Sequence, residues 1–358
     1  MDLQRVNALL DAWGEPAYRR EQARQAATRG LATAWDEVTA LPLALRTRLQ
    51  DEAPLRELTA AETQESGDGT FKVRFQTADG FPLEAVAMRH RNRRTVCVSS
   101  QSGCPLACTF CATGSMGLGR NLTTGEIAEQ VLVLAGMLRD RGERVSNLVM
   151  MGMGEPFLNY DAVLDACRLL NDPAGFGLGA RQMAISTAGW VPGIERLAKE
   201  PMQVKLALSL HAPNDALRTE LMPVTKRYPL DRLIAACRGY RAVTRRRIFV
   251  EYLMLDGVND SDRLAVELAE LLGPEGFHVN LIAYNPTGSP YRASPPDRVA
   301  AFASVLERRG VSASYRRSHG QDIDAACGQL AVRGAAELRR RRARARASVQ
   351  RAGANARR

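Results

Sequence analysis

The sequence predicts an α/β fold: a partial (β/α)6 barrel with a small N-terminal helical domain and a disordered basic C-terminal tail. Three observations predict it. From Thr95 onward, short apolar runs alternate with amphipathic stretches at about 30 residues per unit, the rhythm of a parallel sheet wrapped by helices. Before that point the pattern is helical and then strand-like. After Arg333 apolar periodicity stops and arginine takes over.

Residues 1–60 read as a helical accessory domain. Segments 18–31 and 34–49 carry apolar residues at three- and four-residue spacing, with a break at Thr39-Ala40-Leu41-Pro42. Residues 61–94 read as a strand-rich connector, because 70–75 and 83–88 alternate polar and apolar side chains. Residues 95–332 form the expected catalytic domain, with buried-strand runs at 95–99, 147–151, 182–186, 204–210, 247–255 and 278–282. Helix-like stretches such as 125–138, 160–170 and 262–272 lie between them. In such a barrel the functional groups sit in loops after the carboxyl ends of the strands. Residues 333–358 are the tail.

The bulk composition, 45% hydrophobic and 25% charged, is that of an ordinary globular protein. No apolar run approaches the roughly 20 residues that span a bilayer, and the N-terminus has no signal-peptide pattern. A cytoplasmic protein with no membrane partner is expected. The net charge of +10 is concentrated in the tail, whose ten Arg and one Glu carry +9. The other 332 residues are near neutral, at +1. Such a tail suits polyanions through phosphate contacts, or serves as a solubilising end.

Seven cysteines in a reducing compartment argue against structural disulfides. Cys97, Cys104, Cys108 and Cys111 fall within fifteen residues. Cys104, Cys108 and Cys111 form C-x₃-C-x₂-C after the first barrel strand. Three thiolates can hold three irons of a 4Fe–4S cube and leave the fourth iron open, whereas ferredoxin clusters and structural zinc sites use four ligands. A zinc-stabilised loop is the alternative reading. Cys167 and Cys237 lie in helix-like segments and read as core residues. After the second strand, Met151-Gly152-Met153-Gly154-Glu155-Pro156 combines close backbone approach with a carboxylate for an ammonium group. Ser186 ends strand three, Ser209-Leu210-His211 ends strand four, and Asn285 follows strand six, all on the expected functional face.

The C-x₃-C-x₂-C motif, with Phe110 before its last cysteine, resembles the signature of radical S-adenosylmethionine (SAM) enzymes. That resemblance implies a radical SAM barrel, one 4Fe–4S cluster on Cys104, Cys108 and Cys111, and SAM held by Gly154, Glu155, Ser186, Ser209, Leu210, His211 and Asn285. The segments around Cys97 and Cys327, together with residues 151–156, 209–213 and 14–19, resemble the RlmN/Cfr family of RNA adenosine methyltransferases. Adenine C2 and C8 are electron-poor and cannot attack a methyl group as nucleophiles, so a radical route is needed. The resemblance implies that one SAM methylates Cys327 and a second supplies the radical that activates that S-methyl group. Glu84 is then the proton acceptor, and Cys97 releases the product by forming a disulfide with Cys327.

Residues 322–330 and the N-terminal helices resemble the C2 methyltransferases. These act on 23S rRNA in the peptidyl-transferase region and on tRNA beside the anticodon, as monomers served by a flavodoxin-type electron donor. Basic residues at 88–94 and departures at 282–287 and 317–320 keep the C8 branch, tied to antibiotic resistance, as the alternative. A zinc-containing RNA-binding protein and a radical SAM enzyme with a non-RNA substrate are the rivals from other classes. No RRM-type signature is present. The basic segments 89–94, 245–247 and the tail are the only footprint for RNA.

Overall fold

The computed structural model describes residues 1–316 and 318–330, so the Arg-rich tail at 333–358 lies outside the described residues. Three helices come first: α1 (Leu3–Ala12), α2 (Tyr18–Thr28) and α3 (Leu43–Glu52). The break expected at Thr39-Ala40-Leu41-Pro42 divides the 34–49 segment. Pro42 fixes an extended turn, so a 3₁₀ turn at Trp35–Glu37 precedes it and α3 begins only at Leu43.

Strands β1 (Thr59–Glu65), β2 (Phe71–Gln76) and β3 (Pro82–His90) then form an antiparallel meander. β3 pairs antiparallel with β4 (Arg93–Cys97), the first barrel strand, so the meander and the barrel share one sheet. A short hairpin of β5 (Gln101–Gly103) and β6 (Leu118–Asn121) flanks α4 (Ala112–Met116).

The parallel strands follow in chain order: β7 (Asn147–Met150), β8 (Met183–Thr187), β9 (Lys205–Ser209), β10 (Ile248–Met254), β11 (Phe277–Ala283) and β12 (Ser312–Arg316). The helices α5 (Thr124–Arg139), α6 (Tyr160–Asn171), α7 (Val191–Leu197), α8 (Asp215–Leu221), α9 (Leu230–Thr244), α10 (Asp262–Leu272) and α11 (Pro296–Arg308) connect them. The ten-stranded sheet runs β1-β2-β3-β4-β7-β8-β9-β10-β11-β12, with β1 and β12 at its edges. The six predicted strands are present, and β12 adds a seventh that the sequence reading does not contain.

Alternation explains the layering. Leu148, Met150, Ile185, Leu206, Leu208, Val250 and Val279 are buried beneath the helices. Their neighbours Val149, Ala184, Phe249 and His278 point to the other face and stay half-exposed. The helices have readable starts: Thr123 and Glu126 close a capping box on α5, and Ser261 caps α10. Cys167 and Cys237 are fully buried in α6 and α9, as core residues. Among the described residues no helix is long and apolar enough to cross a membrane.

Candidate active site

The cysteine loop leaves β5 and returns at α4. Gly103 has φ +78°, and a Cβ there would lie 1.9 Å from the Gly117 carbonyl oxygen, so this close hairpin crossing requires glycine. The Cys104 amide donates to Gly117 (3.2 Å), the Cys111 amide to Cys108 (3.2 Å) and the Thr109 amide to Leu221 (3.0 Å). Burial pushes the Cys104 thiol up to about 12, and the nearby Glu155 and Cys111 add to it. Burial lifts Cys108 well above the thiol range, with Cys111 and Cys104 acting in the same direction and Arg218 opposing them. The Cys104 and Cys108 thiols are therefore stabilised as thiolates by a bound cation. Among the described residues no three His, Cys, Asp or Glu groups gather tightly enough to hold a metal ion. A cube that offers three separate iron corners asks for a wider spacing than a single ion does.

Glu155 stands opposite this loop. Gly154, at φ +102°, brings the backbone so close to Gln101 that a Cβ would sit 2.6 Å from the Gln101 Cβ. The Gln101 side-chain oxygen accepts from the Glu155 amide at 2.9 Å. The Glu155 carboxylate accepts from the amides of Ala188 (2.8 Å) and Phe157 (3.1 Å). Among the described residues no cation is paired with it, and burial pushes it up to about 7. A buried carboxylate held by two amides and the Thr187 hydroxyl, beside the Cys104 and Cys108 thiols, suits a ligand with an ammonium group.

Ser186 and Ser209 end β8 and β9, with their hydroxyls 3.3 Å apart. Leu210 is fully buried, and its amide donates to Glu251. His211 sits at φ +60° and its Nδ1 accepts from the Leu253 amide at 3.0 Å. Burial, with Arg218 adding to it, lowers His211 to about 3, so it is a neutral imidazole, and its ring lies edge-on to Phe110 at 4.8 Å. Asn285 is turned toward the Cys327 segment. Its amide nitrogen donates to the Cys327 carbonyl (3.2 Å), and its oxygen accepts from Gln321 (2.7 Å).

Cys327 is exposed in a loop tied to the cysteine loop by the Ala112 amide, which donates to Gly328 at 2.9 Å. The walls of its recess desolvate the thiol, and with Glu251 and Cys111 adding to the effect it rises to about 11, against the pull of Arg316. Cys97, at the end of β4, is buried, and its thiol is raised by burial and by the Cys327 sulfur. The two thiols thus come together although 230 residues separate them. Glu84 lies on β3 with Lys72 3.4 Å from its Oε1, and Lys72 also donates to the Asp324 carbonyl at 3.2 Å. Glu84, Lys72 and Arg74 line a cleft of about 370 Å³ whose other walls are Glu62, Gln64, Ala112, 286–288, Asp324 and Gln329.

Sequence reasoning missed two features. Arg218 is fully buried on α8, where its guanidinium donates to the carbonyls of Leu210 (3.1 Å), Ala188 (2.7 Å) and Ser209 (3.3 Å) and to the Thr225 hydroxyl (2.9 Å). Glu251, buried on β10, accepts from Asn280 at 2.8 Å, and Ser314 donates to the same Asn280. A lone acid inside the apolar run 248–254 was the available signal for Glu251.

A radical SAM superfamily model matches residues 98–269. A probable dual-specificity RNA methyltransferase RlmN of Chloroflexus aurantiacus is 49% identical, covering 93% of this chain and 92% of that protein. The dual-specificity RNA methyltransferase RlmN of Alkalilimnicola ehrlichii is 45% identical, covering 92% of each. The crystal structure of a radical SAM methyltransferase from Sphaerobacter thermophilus superposes with a TM-score of 0.90 at 49% identity, covering 92% of this chain and 97% of that one. The chain belongs to the RlmN family of radical SAM RNA methyltransferases, enzymes that use a 4Fe–4S cluster and SAM.

Proposed function

We propose that this enzyme methylates C2 of adenosine in 23S rRNA and in tRNA beside the anticodon, by way of a methyl group carried on Cys327. The observation that carries the reading is the meeting of Cys97 and Cys327 beside Cys111, with Glu84 in the adjoining cleft. Cys104, Cys108 and Cys111 hold the cluster. Glu155 takes the SAM ammonium, and Gly154, Ser186, Ser209, Leu210, His211 and Asn285 surround the rest of the molecule. Bound there, the cluster and two SAM molecules supply a transferable methyl group and a carbon-centred radical.

Each protein group then has a task. The Cys327 thiol sheds its proton to accept the methyl group, a step favoured by the positive charge of Arg316. The target adenine enters the cleft, and its ring carbon would become joined to Cys327 through an S–CH₂ link once the S-methyl group has given one hydrogen atom to the SAM-derived radical and the adduct has given its surplus electron to the cluster. Glu84 takes the ring proton. The Cys97 thiolate attacks the Cys327 sulfur and breaks its bond to the CH₂ carbon, which leaves with the bonding pair and takes up a proton to become the methyl group of the released nucleotide. A Cys97–Cys327 disulfide remains, which an external thiol or reductase must reopen. The 1–60 region serves as an accessory RNA-binding domain beside the connector (61–94) and catalytic domain (95–332). The protein works as a cytoplasmic monomer with a flavodoxin-type donor.

Nucleoside mass spectrometry tests this on unmodified rRNA and tRNA treated with anaerobically reconstituted protein, SAM and a reductant. The expected product is 2-methyladenosine, absent with Cys327→Ala. An 8-methyladenosine product would move the enzyme to the C8 branch. SAM cleavage without any methyladenosine would overturn the reading.

A further inference from the structure

The tip of the β3–β4 hairpin and the segment that leads to Cys327 meet on one surface. Arg89, His90, Arg91 and Arg93 are exposed at the hairpin, where His90 pairs in register with Arg93. The His90 ring packs edge-on against His319 at 5.4 Å. His319, eight residues before Cys327, also contacts Asp68 at 3.2 Å, and the Gly320 amide donates to the same carboxylate. The hairpin is therefore clipped to the strand of chain that carries the methyl-bearing thiol.

The charges on this surface act together. His90 is held below the ordinary imidazole range by burial and then by Arg93, His319, Arg91 and Arg316. His278, on β11, is lowered by burial and then by Arg247 and Arg316. Two imidazoles on separate strands thus feel the same Arg316, which is also felt at Cys327. Glu143 pairs with Arg89 and Arg94. Among the described residues no carboxylate pairs with Arg91, Arg93, Arg247 or Arg316. Arg316 is drawn on by the buried Glu251, but exposed guanidinium groups without an ion-pair partner on a near-neutral body attract a polyanion. Guanidinium also matches phosphate geometry.

We propose that this surface, centred on Arg91, Arg93, Arg247 and Arg316, is a phosphate-docking platform that grips the RNA backbone flanking the target adenosine. The inference rests on the RNA methyltransferase reading above and gives that site its grip on the substrate. Phosphate contacts of this kind fix register and orientation and leave base identity to the cleft. The hairpin sits at the far end of β3 from Glu84, so the backbone is held at a distance from the reacting ring carbon.

The test uses full-length reconstituted protein and in vitro transcribed, unmodified tRNA, with binding followed by fluorescence anisotropy over a range of salt. For Arg91→Gln/Arg93→Gln the slope of log affinity against log salt should fall by about 1.4, the value for two single-strand phosphate contacts. KM for RNA should rise about tenfold or more at low salt, with RNA-independent SAM cleavage unchanged. Arg91→Lys/Arg93→Lys should restore most of the slope. Wild-type affinity and slope in the Gln variant would overturn the platform while leaving the methyltransferase reading intact. Unchanged RNA binding with slower reduction by a flavodoxin-type donor would reassign the surface to an acidic protein and also overturn it. A wild-type protein that neither binds nor methylates RNA would overturn both.

Discussion

Two buried side chains at the carboxyl end of the barrel pull the stability of the metal-free chain in opposite directions with pH. Glu155 is raised by burial from an ordinary 4.5 to about 7, so folding is penalised increasingly as pH climbs from 4.5 to 7. His211 is lowered by burial from 6.5 to about 3, so its contribution is present above pH 6.5 and is lost as pH falls toward 3. The two slopes partly cancel in the wild type. Glu155→Gln removes one of them, and the variant should gain roughly 2 kcal/mol more over wild type at pH 7.5 than at pH 5. Urea melts at the two pH values check this; an equal difference at both would mean that Glu155 does not titrate there. Arg218 supports the same strand ends without titrating. Arg218→Met strips donors from three carbonyls and one hydroxyl, and should cost about 3 kcal/mol or more. Arg218→Lys should recover part of that in the same melts, because an ammonium still donates. The cysteine spacing was readable in the sequence because Cys104, Cys108 and Cys111 lie on one short loop. Arg218 was not, since nothing in a helical segment with ordinary charges says which arginine faces inward.

Segments that carry function here are held by contacts between elements far apart in the chain. Contacts that hold the Cys327 segment include these: Asp68 accepts from His319 and Gly320, Lys72 donates to the Asp324 carbonyl, Asn285 bridges Gln321 and the Cys327 carbonyl, and the Ala112 amide donates to Gly328. Burial works against the Asp68 charge, but the amides of Thr70 and Gly320 and the hydroxyls of Thr70 and Ser66 hold it at about 2. Asp68→Ala should loosen the near end of the segment. Hydrogen exchange at 318–330 should accelerate, and RNA methylation should fall several-fold with SAM cleavage retained. Unchanged exchange would mean that the other anchors suffice. None of these anchors could be read beforehand, because each joins residues up to about 250 positions apart. The barrel strands were legible because buried parallel strands are continuous apolar runs. β12 was not, since Ser312–Arg316 is a polar, half-exposed edge strand with no such run. Within 34–49 the break at Thr39-Ala40-Leu41-Pro42 was legible from its proline, whereas the piece before it closes only a 3₁₀ turn, too short for helical spacing to distinguish from an α-helix.

At the scale of the molecule, one sheet joins the accessory strands to the catalytic barrel, and the N-terminal helices dock on the barrel's first helix. Glu129 of α5, fully buried, is the hub of that docking. Its two oxygens accept from the amides of Glu57 (3.0 Å) and Leu58 (2.9 Å), where the helices hand over to β1. Arg139 of the same helix donates to the Gly30 carbonyl at 2.8 Å, and Arg56 donates to the carbonyls of Ala27 (3.1 Å) and Ala32 (2.6 Å). Glu129→Leu leaves the Glu57 and Leu58 amides without acceptors and takes one of two carboxylates from the buried Met1 ammonium, a loss of roughly 3 kcal/mol or more concentrated at one junction. The barrel has its own buried core, so the N-terminal helices should come loose first. Limited trypsin digestion should cut after Arg56 much faster than in wild type, while the protein still takes up iron and retains its visible absorbance after reconstitution. RNA affinity should drop with it, since the 1–60 region would no longer be held at a fixed distance from the cleft. Cutting at the wild-type rate would show that apolar packing around Trp35 and Leu49 holds the junction without Glu129. Loss of the barrel together with the helices would show that the shared sheet makes the whole chain a single cooperative unit.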